Sequence, residues 1–235
     1  LKFLKQSYKQ AKKVKGLNNV VLALSAFWFI ASLIQMNPIE YCSTQLELSA
    51  GQTSVILAIT IIGIALGCFF SGIINKSRVE IGISVVGAIG LAIFTCIVAY
   101  SELSTLGFSV IMFLGAFCAG LYKIPLNSWM QERCGSKELP SFLAYLNMVV
   151  FLVVLISSGL FAVFMYFFDT TAVFNFIAMS SVALAGVILL RNPAEFIRFI
   201  VFCLAKTLNK SKISGIHNIP KKSGALIVAN HLSFM

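Results

Sequence analysis

Charged side chains are scarce in this chain. Asp, Glu, Lys and Arg together make up 11% of its 235 residues, whereas 59% are hydrophobic and the mean hydropathy is +0.93. A soluble globular domain carries roughly 25% charged residues, because water has to solvate its surface. The composition therefore excludes an ordinary soluble domain and predicts a membrane protein.

Cysteine pairs at metal-binding spacing are also missing. The six cysteines include no Cys-x-x-Cys pair, and most of them lie within apolar segments. This spacing supports neither a disulfide framework nor a zinc site. We expect the cysteines to act as small apolar side chains, and we expect no metal and no cofactor.

Six long apolar segments make up most of the chain. A helix needs about 20 apolar residues to cross the ~30 Å hydrocarbon core, where an unpaired backbone group finds no partner. None of the six segments contains a charged residue. They lie at about 17–36, 54–74, 81–100, 104–122, 142–166 and 171–190. The expected fold class is an all-α membrane protein with a six-helix transmembrane unit over 17–190.

The basic residues predict the orientation of this unit. All 18 Lys and Arg residues lie before the first span, in the second-to-third and fourth-to-fifth connections, or after the last span. The charged residues of the other three connections are all acidic. Because Lys and Arg are retained on the cytoplasmic side, both termini are expected in the cytoplasm. The net charge of +10 therefore reports membrane topology and does not indicate a nucleic-acid partner.

Polar side chains in or next to the spans are candidate substrate contacts, because they are costly in lipid unless they meet a partner. The candidates are Gln35, Lys123, Asn127, Gln131 and Asn147. For the asparagines and glutamines, hydrogen bonding between helices is an equally good interpretation. The Lys123 ammonium either contacts a lipid phosphate or extends to the cytoplasmic interface, and we favour the second interpretation.

The composition changes after Leu190. Segment 191–210 places Pro193 in a first helical turn, where a missing amide does no harm, and predicts an amphipathic helix at the membrane interface. The side chains expected toward headgroups are Glu195, Arg198 and Lys206, and those expected toward acyl chains are Phe196, Phe199, Ile200 and Phe202. Residues 211–235 predict a strand, a turn and a buried strand that leads to Asn230-His231.

Two stretches resemble known transporters. The segment LSAGQTSVILAITIIGIALGCFFSGIINKSRVEIG resembles a region of the major facilitator superfamily, and its part from Gly72 to Arg78 resembles a degenerate copy of that superfamily's short cytoplasmic loop motif. Residues 124–153, IPLNSWMQERCGSKELPSFLAYLNMVVFLVV, are similar to the bacterial lysophospholipid transporter family. The resemblance implies that 17–190 form spans seven to twelve of a twelve-helix transporter, after a basic cytoplasmic loop at 1–16. It also implies a substrate site between two six-helix halves near the bilayer midplane.

The end of the chain resembles a second family. The stretch NIPKKSGALIVANHLSF is similar to the start of the glycerolipid acyltransferases. This resemblance implies an α/β acyltransferase domain beginning near 211, with His231 as the general base on the acceptor hydroxyl and an aspartate five positions later. It further implies a lysophospholipid or phospholipid substrate and either acyl carrier protein or acyl-CoA as acyl donor. Without this context, a lone histidine after a strand is usually structural or solvent-facing.

Together the two resemblances predict lysophospholipid transport across the bacterial inner membrane, coupled to re-acylation by a fused acyl-ACP–phospholipid O-acyltransferase. The chain starts at Leu1 and stops inside the histidine motif, so we expect a fragment that by itself neither transports nor acylates. Two alternatives stay open. One is a major facilitator exporter of another small solute, and the other is an acyltransferase whose helices serve only as a membrane anchor.

Overall fold

The computed structural model of the chain describes residues 2–76 and 78–208, and the regular structure of these residues is entirely α-helical. The helices are α1 Lys2–Ala11, α2 Leu17–Thr44, α3 Ala50–Ile74, α4 Ile81–Tyr100, α5 Thr105–Arg133, α6 Leu139–Phe167, α7 Thr170–Arg191 and α8 Pro193–Leu208. From α2 to α7, short connections join each helix to the next, so successive helices run in opposite directions. The strands expected in 211–235 lie outside the described residues, as does His231.

Helices α2 to α7 are each long and apolar enough to cross a membrane, which confirms the six predicted spans. Two of them continue well past the predicted ends, α2 to Thr44 and α5 to Arg133. Hydropathy marks the part of a helix that suits lipid, whereas the helix itself continues until its backbone is capped. Pro38 and Pro125 lie inside these extensions, because packed neighbours tolerate the loss of one backbone hydrogen bond. Residues 2–11, predicted as part of a loop, form α1.

Polar side chains define where several helices begin. Ser49 Oγ accepts a hydrogen bond from the Gln52 amide, and the Gln52 side chain accepts one from the Ser49 amide, which confirms the capping box in the sequence. Ser104 caps α5 with its hydroxyl. Asp169 caps α7 by accepting from the Ala172 amide at 2.8 Å. Such caps satisfy orphan amides and allow connections of only a few residues.

The two ends of the six-helix unit differ in charge. At the end where α2, α4 and α6 begin, the connections carry Lys76, Arg78 and Lys137 beside the acidic Glu80 and Glu138, and three further lysines lie between α1 and α2. We call this the basic end. The connections at the opposite end, here the acidic end, carry Glu47, Glu102 and Asp169, and the described residues of these connections include no Lys or Arg.

The packing of the helices has an internal symmetry. The main contacts are α3 with α5, α2 with α6, α4 with α5, α2 with α7, and α4 with α7. If the triplet α2–α4 is exchanged with the triplet α5–α7, this set of contacts maps onto itself. The chain crosses the bundle once with each helix and therefore three times within a triplet. The second triplet accordingly starts at the opposite end of the bundle from the first. In this pattern of main contacts, the six helices correspond to two inverted triplets.

Glycines allow the closest of these contacts. A Cβ atom built on Gly67 of α3 would lie 2.0 Å from the Phe117 carbonyl oxygen of α5, and one on Gly120 would lie 2.6 Å from the Cys68 nitrogen. The two backbones are therefore in direct contact. Small residues drive helix association in lipid by permitting this approach, as the Gly63-x-x-x-Gly67 spacing predicted.

Side-chain hydroxyls and an amide tie other helix pairs together. Ser32 of α2 and Ser157 of α6 share a hydrogen bond between their hydroxyls. Asn37 Nδ2 donates to the Thr170 carbonyl oxygen at 3.0 Å, which joins α2 to α7. The Tyr122 hydroxyl donates to a carbonyl oxygen of α2 at 2.9 Å. Each bond satisfies a buried polar group that would be costly to leave unpaired.

The first two turns of α8 pack on the bundle, against the start of α4. Arg198 Nη2 donates to Glu80 Oε2 at 2.8 Å and also pairs with Glu195. Phe199 lies against Gly82. A Cβ atom built on Gly82 would be 2.4 Å from the Cβ atom of Phe199. These side chains were expected to face headgroups and acyl chains. In the structure they meet the start of α4, because α8 begins only two residues after α7 ends, and the position at the membrane interface stays a prediction.

Candidate functional site

Two cavities lie between the spanning helices. The first, called the α3 cavity, has a volume of about 560 Å³ and lies among α2, α3, α4 and α5. The second, called the α7 groove, has a volume of about 950 Å³ and lies mainly between α2 and α7, with contributions from α5 and α6. Both volumes are in the range of small-molecule sites. The two cavities are related by the same exchange of triplets. When α2–α4 are exchanged with α5–α7, the helices that line one cavity become the helices that line the other.

The α3 cavity is almost entirely apolar. On α2 its lining runs from Phe27 to Ile39, which is the half of that helix nearer the acidic end. Thr60 and Thr95 line it as well, but each hydroxyl donates to a carbonyl oxygen of its own helix at 2.9 Å. Among the described residues that line the cavity, Gln35 supplies the one side-chain amide. The cavity therefore suits an alkyl chain or another apolar group better than a polar solute.

The predicted contact residues do not converge on one site. Gln35 lines the α3 cavity. Lys123, Asn127 and Gln131 recur every four residues on α5 and so share one face of that helix, with Gln131 exposed near its end. Asn147 is exposed on α6, and it lines neither cavity. Of the five, Gln35 therefore contributes to a cavity and Lys123 to the contact described next.

Lys123 lies deeper in the bundle than the predicted end of the fourth span suggested. Because α5 continues to Arg133, ten residues separate Lys123 from the end of the helix, which corresponds to about 15 Å. Its ammonium lies 4.7 Å from the centre of the Trp28 ring on α2. A cation over an aromatic face is attracted by the ring quadrupole. Lys123 thus joins α2 to α5 about 15 Å from the end of α5.

Replacing Lys123 with glutamine tests whether this cation contacts substrate. If the protein transports lysophospholipid, as the resemblance implies, Lys123→Gln should lower uptake of the labelled lipid about tenfold, since a charged hydrogen bond to phosphate contributes roughly 1.5–3 kcal/mol. Loss of the contact with Trp28 should cost stability of only about 1 kcal/mol. The control is Lys137→Gln, which removes an exposed charge from the connection between α5 and α6. Normal uptake with reduced stability would assign Lys123 a structural role alone.

Sequence reasoning missed the polar end of the α7 groove. Arg191 and Asn192, at the end of α7, line the groove together with Asn19 and Trp129. Arg191 entered the sequence analysis only as one of the charges that indicate topology. Its position at the end of an apolar span was visible in the sequence, but the groove needs α2 and α7 to lie side by side, which no local pattern encodes.

Comparison of the chain with protein-family models, with curated proteins and with solved structures gave no significant match.

Proposed function

We propose that this chain is the C-terminal half of a major facilitator lysophospholipid transporter of the bacterial inner membrane, joined to the start of a glycerolipid acyltransferase. The transporter half would move a single-chain phospholipid across the bilayer. The acyltransferase would add the second chain at the cytoplasmic face. The proposal assigns the basic end of the bundle to the cytoplasm.

The packing of the six helices is the observation that best supports a transporter. Two inverted repeats of three helices form each six-helix half of major facilitator transporters, and such repeats place a substrate site near the midplane. A bundle that served only as an anchor would need no such repeat. The contacts α2 with α6 and α3 with α5 are equivalent under the exchange, as are α2 with α7 and α4 with α5.

The character of the cavities supports a lipid over a polar solute. The α3 cavity has apolar walls, and its threonine hydroxyls are already satisfied within their own helices. A hydrophilic solute would leave its polar groups unpaired there, at a cost of several kcal/mol. A lipid acyl chain has no polar groups that could be left unpaired.

The acyltransferase part of the proposal rests on the sequence around His231. In the family that this stretch resembles, the histidine takes a proton from the acceptor hydroxyl while that oxygen attacks the acyl thioester. The C–S bond then breaks, and the acyl carrier leaves as a thiol that takes up the proton. Coupling the two activities in one chain would keep the single-chain lipid in the membrane between import and acylation.

Lipid uptake by cells that express the full-length protein tests both halves. With labelled lysophospholipid outside, the wild-type protein should produce labelled diacyl phospholipid inside. His231→Ala should retain uptake and accumulate the single-chain lipid, because removing a general base typically costs 10²–10⁴-fold in rate. Absence of uptake by the wild-type protein, with acylation intact for lipid supplied inside, would favour the membrane-anchored acyltransferase. Export of another small solute, unaffected by added lysophospholipid and without lysophospholipid uptake, would favour the exporter.

The orientation can be tested with engineered cysteines. Ser101→Cys, at the acidic end, should react with a membrane-impermeant maleimide in intact cells, whereas Ser136→Cys, at the basic end, should react only after permeabilisation. Both positions are exposed. The native Cys42 and Cys134 are buried, and burial together with the nearby Glu138 carboxylate raises the pKa of the Cys134 thiol. A raised pKa leaves less thiolate at neutral pH, so background labelling should be low. The opposite labelling pattern would reverse the proposed orientation.

A further inference from the structure

The α7 groove combines an apolar channel with one polar end. On α2 its lining extends from Gly16 to Ile30, and on α7 from Ser180 to Asn192, so the groove is about 20 Å long. Its walls are mostly aliphatic or alanine side chains, including Ala26, Val153 and Ala183. One leaflet of a ~30 Å hydrocarbon core is about 15 Å deep. The groove therefore extends from the basic end of the bundle through a depth comparable to one leaflet.

A cation that the described residues leave unpaired lies at the polar end of this groove. Arg191 is exposed, and it makes no hydrogen bond or ion pair with the described residues, in contrast to Arg198, which is paired with Glu80. The end of α7 favours a cation through its helix dipole but supplies no counter-ion. Asn19 is exposed in the same groove, and its side-chain amide has no hydrogen-bond partner among the described residues.

The rim of the groove adds further positive charge. Trp129 lines the groove, and the Arg133 guanidinium lies over its ring, 5.5 Å from the ring centre. Gly16, which starts the groove on α2, follows the exposed Lys15. Arginine and lysine at this depth attract lipid phosphates, and an indole is favoured at the boundary between headgroups and acyl chains. The charges of the groove therefore complement an anionic headgroup whose chain enters the apolar channel.

We propose that the α7 groove binds a single-chain phospholipid of the leaflet at the basic end, with its phosphate on Arg191 and its acyl chain along the apolar walls between α2 and α7. The choice of a single-chain lipid rests on the proposed function. The guanidinium supplies two parallel donors to phosphate oxygens, and the Asn19 amide supplies another. The groove is distinct from the α3 cavity, which lies toward the acidic end.

Photolabelling of the purified full-length protein tests this site. The protein is held in dodecyl maltoside, which carries no phosphate, and is labelled with 1-acyl-glycerol-3-phosphate that bears a diazirine near the end of its acyl chain. We expect adducts on α2 and α7 peptides, and Arg191→Gln should raise the apparent dissociation constant about tenfold, which corresponds to about 1.4 kcal/mol. Arg191→Lys should keep it within about threefold of wild type, because the charge remains. Lys137→Gln, a matched loss of charge outside the groove, should leave it unchanged.

Two further ligands separate the phosphate from the chain. A monoacylglycerol with the same diazirine chain lacks the phosphate, so its labelling should be weaker than that of the phosphate probe and equal in wild type and Arg191→Gln. Glycerol phosphate lacks the chain and should compete at least about a hundredfold more weakly than the lipid probe, since burial of each CH₂ contributes roughly 0.8 kcal/mol. Equal competition by glycerol phosphate would overturn the proposal in favour of a free phosphate site.

Equilibrium labelling also distinguishes this inference from the proposed transport. If uptake occurs but Arg191→Gln binds the probe like Lys137→Gln, the groove site is wrong and transport stands. Adducts confined to α3 and α4 would likewise exclude the groove. If the probe binds the groove as expected while uptake is absent, the lipid site stands and the transport proposal fails.

Discussion

Gly67→Ala is expected to destabilise the protein by about 3 kcal/mol and to lower its melting temperature by roughly 6–12 °C. The added Cβ would lie 2.0 Å from the Phe117 carbonyl oxygen, and the Gly120 Cα would be only 3.1 Å away. Both neighbours are backbone atoms of α5, so no flexible side chain can move to relieve the overlap. The helices α3 and α5 would have to separate along their contact. Thermal unfolding in detergent measures the effect.

Gly72→Ala is the matched control for this prediction. Gly72 belongs to the same helix, and a Cβ built on it meets nothing within 4 Å. Alanine is the better helix former by about 1 kcal/mol, so this variant should melt at or slightly above the wild-type temperature. Gly67→Ala melting within about 2 °C of Gly72→Ala would contradict the close approach of α3 and α5.

If the protein takes up lysophospholipid as proposed, Ala116→Trp is expected to abolish most of that uptake while the protein stays folded. Ala116 is a half-buried residue of α5 that lines the α3 cavity, where open space can accept an indole. If the cavity lies on the transport path, filling it should lower the uptake rate of labelled lysophospholipid by at least about tenfold, equivalent to a rise of about 1.4 kcal/mol in the barrier. The melting temperature should change little, because the new side chain occupies a cavity and displaces no packed group.

Ala58→Trp provides the comparison for Ala116→Trp. Ala58 is exposed on α3 and does not line the cavity, so its replacement adds the same indole outside the proposed path. We expect normal uptake from this variant. Equal loss of uptake in both variants would point to a general disturbance of the membrane helices, and normal uptake in both would remove the α3 cavity from the transport path.

Much of the architecture could be predicted from the sequence because its causes are local. Twenty apolar residues in a row dictate a membrane-spanning helix whatever its neighbours are. The capping box of Ser49 and Gln52 was readable for the same reason, since its donors and acceptors lie within four residues. Helix ends were less predictable. Hydropathy stops at Met36 and Tyr122, whereas the helices continue past prolines that their packed surroundings tolerate.

The candidate sites depended on contacts between residues far apart in the chain. Lys123 could be identified as an unusual charge beside a span, but its placement over Trp28 requires α5 to lie against α2. Arg191 looked like one more topology signal until α2 and α7 formed a groove that ends beside it. The pairing of Arg198 with Glu80 likewise depends on the first two turns of α8 lying against the start of α4.

The sequence by itself determined that the chain forms six apolar spans and that its basic residues gather at one end, because hydropathy and charge act residue by residue. Only the tertiary structure decided how the spans pair as two inverted triplets, and which polar side chains reach a cavity. Lipid provides no hydrophobic force to choose between helix partners, so that choice depends on close contacts such as Gly67 against Phe117. Those contacts join residues about 50 positions apart, and a local pattern does not contain them.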